Sequence, residues 1–228
     1  MSKLGVVEDT LFVPMLGRIY ASEYCPQILY DPKALELKKK LPSSLPEQDG
    51  QSQYTLLASA SRSANMDRYI RAFLERRPDG VIVQLAFAED WIRQIRADVP
   101  DAPILVTAGG LFHYFEESKV VGLLRMLTGF GEIEIVFDTV SKSGMDMMRK
   151  KYMKQVGHGD AQIFFYVDSA SVLAGKIGSG VRVLAEEPYY RHIPRTGLKL
   201  STKISMAVSD RFCMVKMVHL CHSAKFHD

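Results

Sequence analysis

Residues 65–110 read NMDRYIRAFLERRPDGVIVQLAFAEDWIRQIRADVPDAPILVTAGG. Two periods alternate in this stretch. Met66, Tyr69, Ile70, Phe73 and Leu74 recur at the spacing of one apolar helix face, which predicts a helix over 65–77. Pro78-Asp79-Gly80 closes it. Val81-Ile82-Val83-Gln84-Leu85 is β-branched and almost continuously apolar, the signature of a strand buried on both faces. The helical period returns over 89–97, with Trp91, Ile92 and Ile95 inward. Pro103-Ile104-Leu105-Val106-Thr107 is a second buried strand, and Gly109-Gly110 ends it.

The alternation continues outward. A helix is expected over 118–127 and a third strand over 133–137, closing at Asp138. Helices and strands in turn imply an α/β fold, a mainly parallel sheet with helices on both faces. Over 142–155, Met145, Met148 and Tyr152 form a stripe ringed by Arg149, Lys150, Lys151 and Lys154, which reads as a surface helix with an apolar underside. Asp168 or Ser169 is placed to cap a helix reaching Ile177, ended by Gly178 or Gly180, and 181–184 is a strand. The run 212–220 is apolar at most positions and belongs inside the sheet. Upstream, 7–22 reads as a helix interrupted at Pro14, with Leu11, Met15 and Ile19 in one stripe. Asp31-Pro32 starts another that continues through Leu35, Leu37 and Leu41, with Lys38-Lys39-Lys40 as its solvated face. Residues 42–53 are a polar, Pro- and Ser-rich linker. No internal repeat is present.

Composition narrows the function classes. With 47% hydrophobic and 24% charged residues, the chain is neither collagen-like, low-complexity nor wholly disordered. An excess of 29 Lys+Arg over 26 Asp+Glu is too small and too scattered for a nucleic-acid face. Cys25, Cys213 and Cys221 are an odd number, not a disulfide framework, and point to a reducing cytoplasm. No apolar run approaches the roughly 20 residues a membrane span needs. Glu8 and Asp9 also make the start unlike a signal peptide. Neither nucleic acid nor a membrane is an expected partner.

Four segments together resemble one family: Asp9-Thr10-Leu11, Arg62 with Asp67, Gly110-Leu111-Phe112-His113-Tyr114, and Val136-Phe137-Asp138. In that order they are similar to the S-adenosylmethionine-dependent O-methyltransferases of the leucine carboxyl methyltransferase and tetracenomycin polyketide type. The resemblance implies a Rossmann-like class I methyltransferase sheet with an interior antiparallel strand, matched by 212–220. It also implies an N-terminal helical extension, here 1–60, ahead of the sheet domain, 61–228. The implied activity is methyl transfer to a carboxylate or hydroxyl oxygen of a small molecule. The implied cofactor is S-adenosylmethionine, held by Arg62, by Leu85 at the end of the first strand, and by Gly109 and Gly110. Arg62 would meet the methionine carboxylate, a planar match for guanidinium. Tyr114 matches the family's tyrosine, although many members carry a glutamate where Gly109 stands.

The resemblance has a gap. In the family the first strand runs into a glycine-rich turn, and an acid ending the next strand holds the ribose hydroxyls. Here no glycine lies between Gly80 and Gly109, and only 18 residues separate Leu85 from Ile104. One βαβ unit needs about 30 residues, so one helix fits there and two further strands do not. The sheet is therefore incomplete as written. Either the natural chain carries an internal deletion between Leu85 and Ala88, or a coding segment is missing from this reading frame. The first strand is left with an uncovered edge, which favours a homo-oligomer. A non-catalytic binding protein that keeps the scaffold without its cofactor site is the competing class. A nicotinamide-dependent dehydrogenase would need the same glycine-rich turn.

Three further groups stand out. His113 is a candidate for a general base, against a packed core histidine. Tyr189, Tyr190 and His192 lie in a dense polar-aromatic segment after a strand, either lining an acceptor pocket or covering a charged surface. His219, Cys221 and His222 fit no common zinc spacing, and strand alternation sets His222 opposite the other two, so no metal is expected.

Overall fold

The computed structural model describes residues 12–40, 51–85, 90–149 and 163–223. Asp9-Thr10-Leu11, the linker residues 42–50, Tyr152 with the rest of 150–155, and the side chains of Trp91 and Ile92 lie outside the described residues.

Among the described residues the N-terminal part is three helices. α1 spans Phe12–Tyr24 without a break at Pro14. Pro14 stands in the first turn, where its missing N–H has no intrahelical partner to lose. Of the expected stripe Ile19 is buried, with Leu16 and Ala21, while Met15 is half-buried. α2, Pro32–Lys38, starts as predicted. Asp31 caps it by accepting from the Ala34 N–H, and Arg18 Nε donates to the same carboxylate at 2.7 Å. α3, Gln53–Arg76, begins at a Ser52 cap, 12 residues before its predicted start, and runs unbroken through position 60/61. Serines at 59, 61 and 63 have low intrinsic helix propensity, but packing against α1 overrides it.

Five strands follow: β1 Val81–Gln84, β2 Ile104–Ala108, β3 Ile133–Val140, β4 Val181–Pro188 and β5 Val215–His222. They form one sheet in the order β1-β2-β3-β5-β4. β1, β2 and β3 are parallel, and β5 lies antiparallel between β3 and β4. This is the α/β, Rossmann-like arrangement expected, with the antiparallel strand interior. β1 stands at the edge, paired only with β2 among the described residues. The connecting helices are α4 Asp90–Asp98, α5 Glu117–Thr128, α6 Lys142–Met147, α7 Ala170–Ile177, capped by Ser169, and α8 Leu200–Arg211.

Three strands differ from expectation by more than one residue. β3 runs on to Val140, so Asp138 lies inside it. The last strand starts at Val215, not at position 212. Phe212 and Cys213 form the turn out of α8, with Cys213 at φ 46°. β4 runs on to Pro188, four residues past the expected end at 184.

The sheet buries both faces. One packs Val83, Val106, Ile135, Phe137 and Val218 against α5 and α7. The other packs Leu105, Val136 and Met217 against Met66, Tyr69 and Phe73 of α3. α3 therefore lies across the second face, with Arg62 at the carboxyl end of the parallel strands and Arg76 at their amino end.

Candidate functional site

Arg62 lies one helical turn before Met66, which packs in the sheet's second core. That spacing carries its guanidinium to the carboxyl ends of β2 and β3. There β3 presents Asp138, 1% exposed. Arg62 Nε donates to Asp138 Oδ2 at 2.8 Å, the Gly110 N–H donates to Oδ1 at 2.6 Å, and His113 Nε2 stands 3.6 Å from Oδ2. A carboxylate removed from water needs such partners to stay ionised. Burial alone pushes Asp138 up, but the Arg62 charge, His113 and the Gly110 amide outweigh it. They hold the carboxyl well below the usual carboxylate range.

The turn after β2 is built for close approach. Gly110 has φ +67°, and a Cβ there would lie 2.7 Å from Arg62 Nη1. A Cβ on Gly109 would meet Arg62 Cδ at 3.1 Å. The Arg62 side chain thus lies over the two glycines, which the left-handed backbone at Gly110 permits. Phe112 pins the turn from below, with rings 5.1 Å from Phe137 and 6.1 Å from Phe165.

Four of the sequence-predicted residues, Arg62, Gly109, Gly110 and His113, come together here. His113 is buried, and its Nδ1 has no hydrogen-bond partner among the described residues. Tyr114, 47% exposed, follows it in a short 3₁₀ turn, Phe112–Tyr114. Leu85 is buried at the end of β1, its N–H donating to the Thr107 carbonyl. Tyr189 and Tyr190 do not line an opening. Both rings are buried in the core, the Tyr189 hydroxyl donates to the Ala58 carbonyl, and Asn65 donates to the Tyr189 carbonyl. His192 is exposed, with Nε2 3.5 Å from Glu187 Oε1. In the sequence Asp138 marks the close of the third strand and the end of the Val136-Phe137-Asp138 segment of the resemblance. In the structure it lies inside β3, which runs on to Val140, and an acid buried within a strand must be paired.

A second polar cluster sits at the opposite end of the sheet. Arg76 Nη2 reaches both Glu134 oxygens, at 2.9 and 3.1 Å, and His219 Nε2 is 2.7 Å from Glu134 Oε2. With Cys221 these groups line a cavity of about 430 Å³. Open α/β sheets bind ligands at strand carboxyl ends, and this cavity is at the other end, its charges already neutralised in pairs. Among the described residues, no group of three His, Cys, Asp or Glu side chains is arranged to hold a metal ion. Nor is any helix among them long and apolar enough to cross a membrane.

The geometry defines an open Rossmann-like sheet with a charged cluster at its carboxyl edge. No protein-family model matches the chain. No curated protein matches it either. Among solved structures, a DUF574 family protein from Streptomyces avermitilis matches with TM-score 0.51 at 9% identity, over 91% of this chain and 96% of that one. The magnesium protoporphyrin IX methyltransferase ChlM from Synechocystis, with bound SAH, matches with TM-score 0.42 at 8% identity, over 90% and 98%. The plantazolicin methyltransferase BpumL, in complex with SAH, matches with TM-score 0.41 at 9% identity, over 96% and 99%. At these identities the likeness is one of fold.

Proposed function

We propose that this chain is a methyltransferase scaffold that takes S-adenosylmethionine by its amino-acid end and serves an oxygen of a small-molecule acceptor. The observation that carries the reading is the Arg62–Asp138–Gly110 cluster. A cation backed by a buried carboxylate lies over a glycine turn, at the strand ends where such sheets receive ligands. These residues fit a carboxylate-bearing ligand. For the ribose end the chain offers no glycine-rich turn, since no glycine lies between Gly80 and Gly109.

When bound, the cofactor supplies an electrophilic methyl group. The chain's own residues position it. Asp138 fixes the Arg62 guanidinium, and Gly109-Gly110 admit the ligand close to the backbone. Positioning supplies much of the rate in an in-line displacement. A carboxylate acceptor is already ionised and needs no base. For a hydroxyl acceptor, His113 is the group in the cluster able to take the proton. Tyr114 and His192, both exposed, are the side chains in this reading that reach the acceptor, with Tyr189 and Tyr190 supporting from the core. The helical extension and the sheet domain share α3. A reducing, cytoplasmic setting accords with three free thiols.

Titration calorimetry with S-adenosylmethionine tests the reading. Weak binding that Arg62→Ala removes supports it. Identical heats for both proteins would leave the non-catalytic alternative standing.

A further inference from the structure

α8 turns its apolar residues away from the protein. It buries Thr202, Met206 and Ser209. Leu200, Ile204 and Val208, with Phe212 in the turn that follows, recur every four residues and are 72, 55, 42 and 63% exposed. Ile204 and Val208 each lie two residues from Met206, about 160° around the helix from it. Single exposed apolar side chains are ordinary. Four in line along a 12-residue helix, about 18 Å long, are not.

The charges around the stripe have one sign. Lys199 and Arg211 are exposed and Lys203 is partly so. Asp210, the acid of α8, is already engaged, accepting from the Tyr190 N–H at 2.9 Å and from Arg195 at 2.8 Å. Self-pairing would set these cations against their copies. One short helix also falls well below the roughly 1,200 Å² that a specific dimer interface buries. An anionic, apolar-accepting surface satisfies both features.

We infer that α8 rests on an anionic lipid surface. Its stripe lies at the boundary between headgroups and acyl chains, and Lys199, Lys203 and Arg211 lie at the level of the phosphates. This is binding in the plane of a membrane and needs no spanning helix. It is independent of the proposed catalysis.

Vesicle co-sedimentation with the full chain tests it. Vesicles of phosphatidylcholine with about 30% phosphatidylserine are compared with phosphatidylcholine alone. The anionic vesicles are expected to bind at least about tenfold more tightly. Ile204→Ser with Phe212→Ser should weaken binding roughly a hundredfold by loss of apolar burial. Lys203→Glu with Arg211→Glu should erase the preference for anionic lipid. The substituted positions are at least partly exposed, and an unchanged circular dichroism spectrum verifies the fold. Wild-type chain that stays in the supernatant with both vesicle types overturns the inference. So does a lipid-free dimer that Ile204→Ser with Phe212→Ser converts to monomer.

Discussion

Asp138 joins two segments distant from it in the chain: the middle of α3 through Arg62, and the turn after β2 through Gly110 and His113. Its carboxyl is held low in the folded protein, so the folded state resists protonation while the unfolded chain, near 3.9, does not. The stabilisation is therefore present above about pH 4 and is lost as pH falls toward the folded value, because the unfolded state then binds more protons. Asp138→Asn should lower stability by about 3 kcal/mol, near the lower end for removing one partner of a buried pair, since Arg62 keeps some exposure. It should also flatten the acid limb. Urea midpoints measured from pH 3 to 7 check both, and an unchanged acid limb would contradict the role given to Asp138. At Gly110, alanine must adopt a left-handed φ and displace Arg62. Strain of about 1–2 kcal/mol is expected, read as a lowered melting temperature. Asp138→Asn should be acid-sensitive in its loss, whereas Gly110→Ala should not.

The elements show how far patterning reached. The strands at 104–107 and 133–137 are legible because doubly buried strands are short apolar runs between turn signals, and their parallel pairing follows from the helix between them; 81–85 shows the same run, yet β1 is an edge strand with Val83 buried and Gln84 exposed. Two helices were not legible for a shared physical reason. The first half of α3 is rich in serine, and α8 buries Thr202 and Ser209 while exposing its large apolar residues, so neither follows the apolar-inward period. Both are held by tertiary contact. In the candidate site, Arg62 and the glycines were legible only through the resemblance, and their convergence on Asp138 required three-dimensional placement. The α1–α3 contact makes the tertiary term measurable. A Cβ on Gly17 would lie 2.2 Å from Ser59 Oγ and 2.5 Å from the Leu56 carbonyl oxygen. Gly→Ala in a helix gains about 1 kcal/mol of propensity, whereas overpacking costs about 1–3 kcal/mol. The hydroxyl can rotate away, but the carbonyl is fixed in α3, so overpacking should win. Gly17→Ala is expected to melt at a lower temperature than the parent, and a higher one would show the two helices to be loosely packed.

For the whole molecule, β1 stands as an open sheet edge among the described residues, and the joint that follows it, after Leu85, is where the proposed cofactor site lacks a glycine-rich turn. The N–H groups of Val81 and Leu85 donate to the Pro103 and Thr107 carbonyls, so by alternation those of Ile82 and Gln84 face the open side of β1. Proline at Gln84 would remove one outward donor without touching the β2 ladder. It should reduce any self-association seen by light scattering while leaving thermal stability within about 1 kcal/mol. Cofactor binding depends on the same joint. A glycine-rich turn and the following acid would supply about three hydrogen bonds to the ribose and neighbouring groups, each worth on the order of 0.5–3 kcal/mol. Losing them should weaken binding by about a hundredfold or more, since roughly 1.4 kcal/mol is tenfold. The 228-residue chain is therefore expected to bind S-adenosylmethionine weakly, through the Arg62 end alone. A chain carrying a full strand–helix–strand segment between Leu85 and Ala88 should bind at least about a hundredfold more tightly. In that longer chain Arg62→Ala should cost a further tenfold or so, the worth of one charge-assisted contact. Resequencing across the codons for Leu85 to Ala88 shows which chain is natural, and calorimetry on the short, long and long Arg62→Ala proteins orders the three affinities. Tight binding by the short chain would place the ribose site elsewhere on the sheet and remove the joint after Leu85 from the account of cofactor recognition.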